Sequence, residues 1–108
     1  MTGYNDAHGD TQAVKLNLAN NADLYRDYMK AVSLAEWDTT TSRWLHIDRA
    51  ADAVRAQVAH LAAQPRRPET GEIHDAHLDD VDYTELVALE LNARNLDAGR
   101  PADAGLPH

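Results

Sequence analysis

Cysteine is absent from the 108 residues. Its absence removes disulfide frameworks, thiolate zinc sites and cysteine nucleophiles together, and a fold with no need of an oxidising compartment makes a cytoplasmic location the expectation. Long apolar runs are missing as well: none approaches the roughly 18 residues of a membrane span. The polar opening MTGYNDAHGD lacks the basic flank and apolar stretch of a secretory leader. The five glycines are scattered through ends and connections rather than gathered into a phosphate-cradling loop, and there is no GxSxG turn. Ser33 and Ser42 have no activating context, so the chain is not expected to be an enzyme.

Basic residues are scarce, with ten Lys and Arg against eighteen Asp and Glu and a formal net charge of −8. An acidic surface repels phosphate backbones and anionic bilayers, so neither direct nucleic-acid binding nor membrane binding is expected. Arg43, Arg49 and Arg55 do not change this, because steps of six residues turn each by about 120° from the last around a helix and leave no basic stripe.

What is present is helical periodicity. The spacing predicts an all-α fold: a single compact bundle of three main helices over residues 13–97, with flexible tails at 1–12 and 98–108. In NADLYRDYMKAVSLAEW, Asn21 is a suitable N-cap, Asp23 favours the first turn, and Leu24, Tyr25, Tyr28, Met29 and Val32 share a stripe, which places a helix at about 21–36. The preceding VKLNLA reads two ways, since it alternates like a strand while Val14 and Leu18 are four apart. Trp44, Ile47, Ala51, Val54, Val58 and Leu61 follow spacings of three and four, a heptad seam that predicts a second helix at about 42–63 with DTTTS as its cap. Pro65 and Pro68 stop it.

A third helix is expected at about 82–97, opened by an Asp82/Glu85 capping box and closed by Gly99 and Pro101. It carries two apolar stripes, Leu86/Leu89/Ala93/Leu96 and Tyr83/Val87/Leu91, and two stripes need two covers. Either both are buried within the chain or one meets a partner. In a core of about 80 residues, which is near the margin of stability, a homodimer through the second stripe or through the heptad seam is an alternative.

The charge is unevenly placed. Between Pro68 and Ala93 lie eight acids (Glu69, Glu72, Asp75, Asp79, Asp80, Asp82, Glu85 and Glu90) with no Lys or Arg, while the ten acids elsewhere are matched by the ten basic residues. Solvation of a linker and charge at a helix N-terminus explain part of this. Clustered charge also speeds encounter and selects partners. The sequence therefore reads as a small, acidic, non-enzymatic interaction or regulatory module docking on a basic protein surface, in its sharper form an inhibitor of a nucleic-acid-binding protein. Asp75, Asp79, Asp80, Asp82 and Glu85 supply the charge in this reading, and Tyr83, Val87 and Leu91 the adjoining apolar contact.

His74 and His77 sit within the same stretch as an HxxH pair, a spacing that presents both to one face of a helical turn and makes a small metal-binding protein a further alternative. The pattern is HDAH rather than HExxH, and further ligands would have to come from Glu72, Asp79, Asp80 or a distant histidine. No metal or cofactor is expected, and His46 and His60 read as solvated. Among the aromatics, Tyr25, Tyr28 and Trp44 read as core or its edge. Trp37, in the turn after the first helix, is expected to fold back over the core, with a binding anchor as the alternative.

Overall fold

The structure is a computed structural model that describes residues 6–107. Residues 1–5 of the expected N-terminal tail and His108 of the C-terminal one lie outside the described residues. The fold is mostly helical, with five α-helices where three were expected: α1 (Asp6–Ala19), α2 (Ala22–Val32), α3 (Ile47–Ala63), α4 (Gly71–Asp75) and α5 (Tyr83–Asp97). A two-stranded antiparallel hairpin, β1 (Glu36–Asp38) and β2 (Arg43–Leu45), joins α2 to α3, and short 3-10 turns at Pro68–Thr70 and Leu78–Asp80 flank α4.

The centre is built as the heptad spacing requires. Ile47, Ala51, Val54, Val58 and Leu61 are all buried, and they put one face of α3 against both α2 and α5. From α2 come Leu24, Tyr28, Ala31 and Val32, and its N-terminus is capped by Asn21, whose side-chain oxygen accepts from the backbone N–H of Asp23 and Leu24 at 3.0 and 3.1 Å. Tyr28 is fully buried and its hydroxyl donates to the Leu86 carbonyl at 2.6 Å, so the interior phenol is satisfied while it ties α2 to α5. Burial pushes its pKa well above the ordinary tyrosine range.

Two expected boundaries are corrected by the hairpin. The first main helix stops at Val32 rather than at 36, with the Ser33 hydroxyl donating to the Met29 carbonyl at 2.8 Å. The next main helix starts at Ile47 rather than at 42, because DTTTS builds a hairpin turn instead of a helix cap. The Asp38 carboxylate accepts from the Thr40 N–H at 3.1 Å and from the Thr41 hydroxyl at 2.6 Å, which also holds its pKa below the usual value. Trp44 leaves the seam and pairs with Trp37 across the strands, their rings 5.5 Å apart and nearly perpendicular.

In α5 the two stripes have different fates. Leu86, Val87, Leu91 and Asn95 are fully buried, while Leu89 is half-buried and Ala93 and Leu96 are exposed. The second stripe and the α3 seam, the faces named for the alternative homodimer, are mostly covered inside the chain, with Tyr83 left half-buried. Past α5, Gly99 takes the left-handed conformation (φ 79°) and the Arg100 N–H returns to the Asn95 carbonyl at 2.8 Å.

The stretch beyond, expected as a flexible tail, is fastened to the hairpin through Asn95. Its amide donates to the carbonyls of Ala102 and Ala104, both at 2.9 Å, while its oxygen accepts from the Trp44 indole and from Arg100 Nε, both at 3.0 Å. Gly105 (φ 69°) passes so close to the hairpin that a Cβ there would meet Trp37 Cζ3 at 2.6 Å and Arg43 Cα at 2.8 Å. The Arg100 guanidinium stacks 3.9 Å from the Trp37 ring centroid. Trp37 is thus half-covered by its own chain rather than a free anchor.

Candidate functional site

The acidic stretch wraps the side of the bundle formed by α1, and α1 is the element that the sequence pattern hid. Its inward residues are Thr11, Val14, Asn17 and Leu18, all buried, two apolar and two polar. Val14 and Leu18 join the core cluster together with Ile73 and Val81 of the acidic stretch. The two polar side chains satisfy that stretch's backbone. Asn17 Oδ1 accepts from the Ile73 N–H at 3.0 Å, and Asn17 Nδ2 donates to the Glu69 carbonyl. Thr11 Oγ1 accepts from the Asp82 N–H at 3.0 Å.

That last contact alters the reading of the capping box. Asp82 caps α5 as expected, its carboxylate accepting from the Glu85 N–H at 2.9 Å. The return partner for the Asp82 N–H is Thr11, supplied by a distant helix in place of Glu85. Residues 69–82 are thereby pinned at both ends by side chains of a different helix, and the intervening IHDAHLDD forms the end of α4 and a 3-10 turn.

The expected contact residues separate into three groups. Val87 and Leu91 are corrected: both face the core and offer no surface, and Tyr83 is half-buried beneath the Arg55 guanidinium, 5.6 Å from its ring centroid. Burial raises the Tyr83 pKa, Arg55 opposes the rise and nearby Asp79 adds to it. Asp75 is exposed but paired with Arg66 through both carboxylate oxygens, Nη2 to Oδ2 at 2.9 Å, and the guanidinium holds its pKa below the usual range. Asp79, Asp80 and Asp82 are exposed and Glu85 half-buried. Among the described residues, no Lys or Arg lies within ion-pairing distance of these four, nor of exposed Glu72.

The Asp79–Asp80 turn stands between two shallow clefts. One, of about 380 Å³, runs from Ala51, Asp52 and Arg55 of α3 to Asp80, Asp82 and Tyr83. The other, of about 420 Å³, is bounded by His77, Leu78, Asp79 and Asp80. Both are open depressions edged by carboxylates.

The histidine pair is not brought together as a ligand set. His74 is half-buried on α4, its Nε2 shielded and without a hydrogen-bond partner, whereas the His77 side chain is 86% exposed. What folding does assemble is His77 with Asp80 and Asp10, one donor atom from each lying within 4.8 Å of the others. Asp10 stands beside Thr11 on α1 and was invisible in a linear reading. A clue was available in the spacing of Thr11, Val14 and Leu18, which is helical once a threonine is allowed on the inner face.

Compared with known proteins, the chain matches no family model, and no curated protein or solved structure matches it significantly. No described helix is long and apolar enough to cross a membrane.

Proposed function

We propose that this chain is a non-enzymatic interaction module that docks its acidic segment on a basic protein surface, with Asp79 and Asp80 leading the contact and Glu72 and Asp82 beside them. The observation that carries this reading is a display of exposed carboxylates, with no Lys or Arg among the described residues in ion-pairing distance, on a backbone fixed to α1 by Thr11 and Asn17. A charged loop that is ordered before binding loses little conformational freedom on docking, so more of the electrostatic attraction appears as affinity. Like-charged surfaces are rejected by the same field. A row of carboxylates resembles a phosphate backbone in charge, which makes the nucleic-acid groove of a basic protein the sharpest form of partner.

The experiment is affinity capture from the host lysate followed by binding constants on the purified partner. The double variant Asp79→Lys/Asp80→Lys is expected to weaken binding by about tenfold or more, with a shallower salt dependence. Asp75→Asn should leave binding within about twofold, because that carboxylate is already committed to Arg66. Equal affinities for wild type and double variant would refute the docking reading.

A further inference from the structure

We infer that Asp10, His77 and Asp80 form a binding site for a divalent transition-metal ion, for which zinc is the simplest occupant. The three residues come from α1, from the link after α4 and from the 3-10 turn before α5, so only the folded chain assembles them. One imidazole nitrogen and two carboxylate oxygens lie within 4.8 Å of one another, and His77 Nδ1 is already 3.5 Å from Asp80 Oδ2. Ligand atoms about 2.0–2.2 Å from a zinc ion stand roughly 3–4 Å apart, so closure needs only a modest side-chain adjustment. The exposed His77 side chain is free to make it.

The chemistry of the donor set favours the same class of ion. Two carboxylates held close together repel, and a dication cancels that repulsion, whereas the imidazole prefers zinc, iron or nickel to magnesium or calcium. Three protein ligands leave a position for water. His74, the other half of the sequence pair, contributes nothing to the group. The inference goes beyond the docking reading and shares only Asp80 with it. Asp10 and His77 lie outside the docking set, so failure of one proposal leaves the other standing.

The test is calorimetric titration of the full chain with zinc chloride, and separately with magnesium chloride. One saturating zinc per chain is expected, together with a rise in Tm, because an ion held only by the folded chain stabilises it by mass action. Asp10→Asn, His77→Ala and Asp80→Asn should each weaken zinc binding by at least the roughly tenfold that loss of an outer-shell partner alone costs. His74→Ala and the remote His60→Ala should match the wild type. Removal of exposed His77 leaves the fold intact, so that variant decides the matter should Asp10→Asn unfold. The inference is overturned by zinc affinity that survives either Asp10→Asn or His77→Ala, by loss of binding in His74→Ala or His60→Ala, by magnesium binding as tight as zinc, or by no saturable zinc binding below the millimolar range.

Discussion

The unit of α2, α3 and α5 is closed by Leu24, Val32, Val54, Val58, Leu86, Val87 and Leu91, with the buried Tyr28 hydroxyl bonded to the Leu86 carbonyl between α2 and α5. The contact of α1 with the acidic stretch also buries Val14, Leu18, Ile73 and Val81, yet there the backbone register is set by Asn17 and Thr11. Apolar contacts are non-directional and tolerate adjustment. Buried amide and hydroxyl groups bond in one geometry, and leaving one unpaired is costly. One region therefore supplies most of the stability, and the other fixes the path of a charged segment too polar to build a core of its own.

The largest expected effect tests the first region. Leu91→Ala should destabilise the fold by about 2–5 kcal/mol in denaturant titration, the range for a leucine removed from a packed interior. A value near zero would mean that Leu91 faces outward, as the sequence had suggested.

Next comes the polar region. Asn17→Leu strands the Ile73 N–H and the Glu69 carbonyl, and Thr11→Val strands the Asp82 N–H. Each change should cost about 1–3 kcal/mol by the same titration, although each adds apolar surface. Stabilisation by either would show that these groups find water instead.

A pH series probes the titratable polar link in the apolar unit, the Tyr28 hydroxyl. The folded pKa of Tyr28 is raised by burial, so its contribution is fully present below the ordinary tyrosine pKa of about 10 and is lost as pH rises through the folded value. Tyr28→Phe should flatten that alkaline decline, as followed by thermal melts.

Asp75→Asn should have the smallest effect, since both partners of its ion pair with Arg66 are exposed. Because the pair lowers the Asp75 pKa, its small contribution holds above the usual carboxylate range and fades as pH falls through the lowered value. Melting curves recorded with and without added salt suffice to detect it.

The sequence revealed the fold where apolar side chains carried the pattern. The run from Ile47 to Leu61 is legible because every inward position is apolar, and Asn21, Asp82 and Gly99 are legible because caps have local chemistry. Trp44 misled by falling on the heptad spacing, although the neighbouring threonines and a second tryptophan suit a hairpin. Helix α1 escaped because half its inner face is polar. Its Thr11 and Asn17 gain a purpose only from backbone groups far along the chain, and no local pattern records such a partnership. The acidic stretch was visible as charge, but its order, the pairing of Asp75 with Arg66 and the arrival of Asp10 beside His77 are products of that docking.

The most direct test of this account is amide hydrogen exchange across residues 69–82 in the wild type, Asn17→Leu and Thr11→Val. The account predicts protected Ile73 and Asp82 amides in the wild type. In the variants, protection should fall across that segment by more than it falls in α3. Wild-type Ile73 and Asp82 amides that exchange at unprotected rates, or a loss spread evenly over α3 and the acidic stretch, would contradict it.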